Sequence, residues 1–443
     1  MLLSFSFSNW KSFRDEVSFS MVAGREERFT QRLPVVGKYK LKALPVAAIY
    51  GANASGKSAF ISALSFAKQF IIRGSEPDAQ IDLKPYLLDE EYLDKPSSFS
   101  FTFLIAEKIY RYTFSLSREK VISESLDLIL KTTESNVFTR EAGKDRAKVE
   151  INSKRVLSDE KTTLKMIGDK TTRNNQLFLT STIYQSFETF KPIYDWLKHS
   201  LQIIGPDSMY TPVSNLASEQ NKEKYSRLLD GLDTGIVDLA LKDANLPESR
   251  KSLLIDAYKD QLNEGKGILL SEYGNKDRVV IQVSKDKVEA SMLISKHRDS
   301  RGNTEDFTFG MESGGTNRLL DILPAFMRLT EDSGTVIVID ELDRSLHTLV
   351  SKALIRYFLD ACNEKSRNQL IFSTHDVMLM DQTLLRRDEL WITDRSFEGV
   401  SSLYSFSDYK DIRADKDIRK AYLQGNLMGV PNILINELCP QED

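Results

Sequence analysis

Cysteine and histidine are scarce in this chain, with two Cys and four His among 443 residues. Cys362 and Cys439 cannot build a disulfide framework or a Cys-rich zinc site, and the four scattered histidines offer no metal-ligand cluster. Only 21 Gly and 12 Pro exclude collagen-like and mucin-like chains, while 41% apolar and 28% charged residues exclude a predominantly disordered one. Neither charge sign dominates. Sixty Lys and Arg against 64 Asp and Glu leave a net charge of −4, without the basic excess of a dedicated nucleic-acid coat, although a local basic groove stays open. No apolar run approaches the roughly 20 residues that span a bilayer. The opening MLLSFSFSNWKSFRDE has no basic segment followed by a continuous apolar one, so no secretory leader is read there. These absences leave a globular protein expected in the reducing cytoplasm, with no membrane partner. At 100 to 200 residues per domain, the length suggests two to four domains.

Leu3, Phe5 and Phe7 alternate with serines, the period of a strand, and run into the loop Asn9-Trp10-Lys11-Ser12-Phe13. LPVAAIY, residues 44–50, is short, apolar and followed at once by Gly51, which predicts a buried strand ending in a tight turn. Phe60, Ile61, Leu64, Ala67 and Ile71 then recur at helical spacing. From about 97 to 151 the alternating runs SFSFTFLI, KIYRYTFSL and VISESLDLILK predict an antiparallel meander. Residues 158–260 read as mostly helical: Phe187, Phe190, Ile193, Tyr194 and Leu197 share one face, as do Leu253, Leu254, Ala257 and Tyr258. Short strands return near 268–273, 279–283 and 288–294, with Gly274-Asn275 and Lys285-Asp286 as turns. Pro324 lies inside an apolar helical pattern, where it kinks the helix or marks its early turns. TVIVID and QLIFST flank the helical stretch 349–362, and strands alternating with helices predict a parallel sheet.

Four motifs carry the chemistry. Gly51-Ala52-Asn53-Ala54-Ser55-Gly56-Lys57-Ser58 fits G-x-x-x-x-G-K-[ST] between a strand and a helix. Glycine-rich backbone turned inward, a helix N-terminus and the Lys57 charge suit a triphosphate, with Ser58 placed to hold Mg²⁺. Asp340 and Glu341 end TVIVID, where ligands bind at the carboxyl edge of open parallel sheets. Asp340 suits Mg²⁺ or its water, and Glu341 suits an attacking water; an acidic pair capping the next helix is the bland alternative. Ser313-Gly314-Gly315 precedes an apolar helix, which alone would be an ordinary N-cap. His375 follows QLIFST at the same predicted sheet edge, although an isolated His is commonly structural.

In this order the motifs resemble the ABC-type ATPase head shared by SMC proteins, RecF and the OLD-like ATPases of bacterial phage defence, including PARIS-like systems. The resemblance covers roughly 1–150 and 300–443. It implies an α/β P-loop ATPase head with an antiparallel β lobe and an inserted, mainly helical subdomain. The expected divisions are an N-terminal ATPase lobe (1–157), a mainly helical insertion with short strands (158–300) and a C-terminal ATPase lobe (301–443). It makes 51–58 the Walker A, Ser313 to Gly315 the signature, Asp340 and Glu341 the Walker B, Asp343 the D-loop and His375 the switch histidine. The N-W-K-S-F opening is similar to the start of SMC-like heads, where a basic residue nears the nucleotide, which makes Lys11 a candidate. Glu312 and Thr316 stand where transporters have Leu and Gln, a form more typical of the defence-type relatives. For the Q-loop glutamine only Gln176 and Gln185 come forward, and neither fits well.

The resemblance implies a head-to-tail homodimer or higher homo-oligomer, in which Ser313 to Gly315 of one copy close on ATP held by Lys57 of the other. The expected role is an ATP-hydrolysing switch, sensor or scaffold in anti-phage defence, answering a phage-protein trigger. Only 68 residues follow His375, too few for an appended nuclease, so the toxin or nuclease effector is expected to be a separate protein from the same operon. Asp408, Asp411, Asp415 and Asp417 read as a solvated face rather than a metal site. The alternative is an SMC- or RecF-like DNA-binding ATPase in DNA repair. Against it stand the lack of sustained heptads and the balanced charge; Lys161, Lys165, Lys170 and Arg173 keep it open. A transporter subunit is disfavoured by the 254 positions between Ser58 and Ser313. Tyr210, Tyr225 and Trp196 could anchor an effector but read as core.

Overall fold

Serine and phenylalanine alternate along Leu2–Ser8, and the pleat sends Phe5 and Phe7 into the interior while Ser4, Ser6 and Ser8 stay half-exposed. The computed structural model describes residues 1–430 except 144–146, 153, 158, 211, 215–218, 245–246, 259–265, 272–276, 285–286, 332–333, 410–416 and 426–427. Two compact units emerge. The first contains Met1–Ile203, Asp332–Glu341 and Leu359–Asp443; the second contains Ile204–Glu331 and Leu342–Phe358.

In the first unit, the meander expected from 97 onward forms as Ser97–Ile105, Lys108–Leu116 and Val121–Ile129, continued by Glu134–Glu141 and Lys148–Ile151. Leu2–Ser8 pairs antiparallel with Ser97–Ile105 and is followed by Val17–Ser20, making seven strands. A second sheet has the order Leu201–Ile204, Val336–Ile339, Gln369–Ser373, Val46–Tyr50, Leu390–Arg395, Ser401–Ser405. The four strands from Val336–Ile339 to Leu390–Arg395 are mutually parallel, as the continuous apolar runs predict. Helix Lys57–Arg73 connects the two sheets through its aromatic face. Phe60 meets Phe5, Phe7 and Phe19, and Phe19 in turn meets Trp391, at ring separations of 4.9 to 6.0 Å. Each fully buried ring of this kind contributes about 2 kcal/mol. The fold is therefore mixed α/β, with a parallel sheet and an antiparallel lobe.

The second unit holds another antiparallel sheet, ordered Pro212–Ser214, Lys266–Ser271, Arg278–Ser284, Lys287–Arg298, Ile236–Asp243, with Thr304–Thr308 also paired to Lys287–Arg298. Helices therefore fill the earlier part of 158–300, up to Ser200, and strands predominate after it. The turns expected at Gly274-Asn275 and Lys285-Asp286 lie outside the described residues, as does Cys439. Helix Glu248–Tyr258 packs Leu254, Ile255 and Tyr258 against Ile268, Val279 and Ile281. Leu253 is 70% exposed and Ala257 is exposed, so the packed stripe is rotated from the face expected in the sequence because Ile255 takes the inward position. Pro324 sits inside Gly314–Leu329 rather than in its early turns. No helix among the described residues is long and apolar enough to cross a membrane.

Candidate functional site

Parallel pairing decides which loops meet. Ser373 lies opposite Ile49, Ile339 opposite Phe372 and Tyr50 opposite Ile392, so the segments after these strands emerge at one carboxyl edge of the sheet. Gly51 to Gly56, Asp340-Glu341 and Thr374-His375 therefore share that edge within the first unit.

The loop from Gly51 to Gly56 is built for close backbone approach. Gly51 has φ 150° and Gly56 φ 124°, and Ala54 is left-handed at φ 60°. A Cβ on Gly51 would fall 2.4 Å from Thr393 O, and one on Gly56 would fall 2.9 Å from both the Phe13 ring and Ser401 Oγ. Ser55, almost fully buried, lies 2.5 Å from Thr393 Oγ1, which itself donates to Tyr50 O at 3.1 Å. Asn53 and Ala54 are exposed, and Ala52 is half-buried. Helix Lys57–Arg73 begins at Gly56 without a side-chain cap, and Ser58 is exposed in its first turn. Lys57 is 5% exposed, and its Nζ donates to Gly51 O at 2.7 Å and Ala52 O at 2.9 Å. A buried ammonium donating to backbone carbonyls of a glycine-lined cradle, beside an uncapped helix start, has the chemistry to receive phosphate oxygens.

Asp340, 5% exposed, is tied to the next strand. Ser373 Oγ donates to Asp340 Oδ1 at 2.5 Å and accepts from Glu341 N at 2.8 Å. The chain leaves Val336–Ile339 through Glu341 at φ 52°, a conformation that costs a non-glycine residue about 1 kcal/mol. The acidic pair is thus held by one buried hydroxyl. Thr374 N donates to Ile49 O at 3.1 Å, and His375, the next residue, is exposed. The side chains at this edge fit a divalent ion at Ser58 and Asp340, since an exposed hydroxyl and a fixed carboxylate are hard oxygen donors. No cluster of three or more His, Cys, Asp or Glu suited to a metal occurs among the described residues. Asp408 and Asp417 serve as turn and helix caps, while Asp411 and Asp415 lie outside the described residues.

Lys11, at φ 50°, is exposed in the turn after Leu2–Ser8, and its N donates to Lys84 O at 2.6 Å. It lines a cavity of about 770 Å³ with Ser12, Ile81, Leu83, Tyr86 and Arg395 among its walls. Ser401 Oγ donates to Ser12 Oγ at 2.8 Å, and Ser401 also abuts Gly56, so the Lys11 turn leans on the end of the 51–56 loop. Asn9 fixes the far wall by accepting from Tyr86 N and donating to Tyr92 O and Lys95 O.

Ser313, Gly314, Gly315 and Asp343 belong to the second unit. Ser313 caps Gly314–Leu329, its Oγ accepting from Thr316 N at 3.0 Å. Asn317 Nδ2 reaches Phe309 O at 2.8 Å, Ser313 O at 3.2 Å and Glu312 O at 3.3 Å, which closes the preceding loop on itself. A Cβ on Gly315 would lie 2.8 Å from Ser345 O, whereas one on Gly314 would meet nothing within 4 Å. The segment after Asp343 therefore rests directly on Gly315. Arg344 pairs with Asp207 at 2.8 Å and Arg318 donates to Ser208 O at 2.9 Å, so the 207–208 turn reaches both segments.

Gln176 and Gln185 are not at the sheet edge that carries Gly51 to Gly56. Gln176 lies against Gly74, and Tyr184, beside Gln185, donates to Ile72 O and Arg73 O. Both sit at the other end of Lys57–Arg73, about 25 Å along the helix. Trp196, Tyr210 and Tyr225 are buried, as core residues are. Sequence reasoning missed Ser373, Thr393 and Ser401: each acts through pairing with a distant strand, and no local spacing announces it.

A family model described as "AAA domain, putative AbiEii toxin, Type IV TA system" matches residues 46–381. No protein with a curated description matches the chain. Among solved structures it is similar to an SMC head domain from Thermotoga maritima, at 14% identity over 91% of this chain and 98% of that one, TM-score 0.35. It is similar too to an SmcHead bound to the C-winged helix domain of ScpA, at 14% identity over 91% and 97%, TM-score 0.41. A third is an Smc head with an extended coiled coil bound to the C-terminal domain of ScpA, derived from Pyrococcus furiosus, at 14% identity over 92% and 97%, TM-score 0.37.

Proposed function

The chain belongs to the AAA-domain family described by a putative AbiEii toxin and a Type IV toxin–antitoxin system, and we propose that it hydrolyses ATP as a dimerising switch that controls a separately encoded toxin or nuclease in anti-phage defence. The observation that carries the ATPase reading is the shared sheet edge, where the Lys57 cradle, the Ser373-bound acidic pair and His375 come together. Gly51 to Ser58 cradle the phosphates, and Lys57 exchanges its two carbonyl contacts for phosphate oxygens. Ser58 and Asp340 are the residues that would hold Mg²⁺, which when bound neutralises phosphate charge. Glu341 aligns and deprotonates the attacking water, and His375 contacts the γ-phosphate. Lys11 and its cavity receive the nucleoside side of the ligand.

Ser313, Gly314, Gly315 and Asp343 act on nucleotide bound by a second copy. Their support is the construction of the loop: a serine cap and an open Gly314 face solvent, while the base of the loop is fastened from behind. The family description, which names a toxin and a Type IV toxin–antitoxin system, supports a toxin partner; the anti-phage role rests on the resemblance of the motifs, and the trigger would be a phage protein.

The test uses two variants. E341Q should bind ATP, turn over at least about 100-fold more slowly and accumulate as a dimer on a sizing column. S313R should bind ATP but not hydrolyse it. Wild-type turnover in E341Q removes Glu341 from its role, and wild-type turnover in S313R removes the composite pocket. A toxin or nuclease co-purifying from the same operon separates the defence switch from a DNA-repair clamp, which salt-sensitive, DNA-stimulated turnover would select instead.

A further inference from the structure

Glu312, immediately before Ser313, turns its carboxylate away from the signature helix and into the neighbouring sheet. Its side chain is 7% exposed, and Oε1 lies 2.5 Å from Ser295 Oγ and 2.7 Å from His297 Nε2. Ser295 and His297 are two apart on Lys287–Arg298 and share one face of that strand, so both present donors to one carboxylate oxygen. A carboxylate accepts only, which makes Nε2 of His297 the protonated nitrogen. The ring is itself held in place. Phe307 meets it edge-on at 4.8 Å, and a Cβ on Gly235 would come within 3.4 Å of Nδ1.

We propose that His297 and Ser295 are positioning residues that hold the Ser313 turn, through Glu312, in the geometry that completes the nucleotide site of a second copy; this rests on the composite-pocket reading above. Two of the loop's fastenings flank Ser313. Asn317 ties its backbone from the helix side, and the Ser295–His297 pair ties its Glu312 side chain from the sheet side. Its tip is left outward: Met311 is 66% exposed and Ser313 and Gly314 are exposed. A fixed base under an open tip is what preorganisation of a donor group requires. Losing the imidazole leaves a nearly buried carboxylate short of a donor, and it relaxes by moving the turn toward water, carrying Ser313 with it. The sheet of the second unit thereby gains a direct connection to the signature, one residue from the group it positions.

The experiment measures steady-state turnover for H297L, H297Q and S313R, each alone and mixed in equal amounts with E341Q. A displacement of about 1 Å in a positioning group costs on the order of 100-fold in rate, so H297L alone should lose most of its kcat while its affinity for ATP stays within about threefold of wild type. Gln places an amide nitrogen the same number of bonds from Cβ as Nε2, so H297Q should keep most of the rate. Mixing H297L with E341Q should raise turnover well above either variant alone, because one site then joins an intact phosphate loop and Glu341 to an intact signature. S313R should complement E341Q in the same way. Wild-type turnover in H297L, an equal loss in H297Q, or failure of H297L to complement while S313R does, overturns the positioning role and leaves the composite pocket standing. Failure of S313R to complement E341Q overturns the composite pocket itself, and the positioning role with it.

Discussion

Ser373 donates to Asp340 across 2.5 Å and joins the carboxyl ends of two adjacent parallel strands. The same hydroxyl accepts from Glu341 N, so one atom sets the position of a proposed metal ligand and the backbone of a proposed base. Replacing Ser373 by Ala withdraws a donor from a carboxylate that is 5% exposed, which costs about 1 to 3 kcal/mol locally. S373A should need more Mg²⁺ for half-maximal turnover and lose about tenfold in kcat. Titrating Mg²⁺ at saturating ATP checks this, and an unchanged Mg²⁺ dependence would take Ser373 out of the site.

Lys57 Nζ donates to the carbonyls of Gly51 and Ala52. Neutral acceptors are poorer partners for an ammonium than phosphate oxygens, so ATP should displace them. K57A removes a charged donor worth about 1.5 to 3 kcal/mol per hydrogen bond, and ATP affinity should fall by at least about tenfold. Calorimetric titration of wild type against K57A reads this directly.

Gly314 and Gly315 separate folding from function. A methyl on Gly315 would stand 2.8 Å from Ser345 O, a backbone atom that can yield only if the segment after Asp343 shifts, whereas Gly314 has open space. G315A should therefore lower both the melting temperature and turnover, with a stability loss of about 1 to 3 kcal/mol. G314A should leave the melting temperature within about a degree or two and still reduce turnover, because in the proposed composite pocket the space it fills is taken by the second copy's nucleotide. A fully active G314A would mean that nothing closes on this face.

The strand–helix turn at 51–58 and the strand end at Asp340-Glu341 were legible in the sequence because their signals are local: eight consecutive residues at one, two at the other. The meander was legible because Phe and Ser alternate without interruption in SFSFTF. Ser373 and Thr393 were not, since an ordinary serine in QLIFST and threonine in LWITD acquire roles only when these strands pair beside Val336–Ile339 and Val46–Tyr50. Gln176 and Gln185 failed as phosphate-edge candidates because sequence order says nothing about which end of a 17-residue helix a later segment returns to. The sheet of the second unit was foreseen only as scattered short strands, because its partners lie far apart in the chain, as when Ile236–Asp243 pairs with Lys287–Arg298.

Glu389 supplies the last prediction, on pH. It is fully buried, and Oε2 accepts from Arg32 Nη2 at 2.5 Å and from Arg386 N at 2.7 Å. Burial outweighs the attraction of Arg32 and pushes the carboxyl up to about 7. The folded protein then binds a proton more tightly here than the unfolded chain does, whose glutamates titrate near 4.3. Between those values the native state holds more protons, so raising the pH lowers stability. The contribution is present in full below the unfolded value and is lost as pH rises through about 7, amounting to about 4 kcal/mol at most. Arg32 also donates to Leu384 O, and Asp388 accepts from Gly24 N, so this cluster fastens the 24–32 segment to 384–389. E389Q keeps an acceptor for Arg32 and Arg386 but cannot titrate. Urea unfolding of both proteins from pH 5 to pH 8 should show wild type losing stability relative to E389Q across the interval, and a flat difference would place the Glu389 carboxyl back in the ordinary carboxylate range.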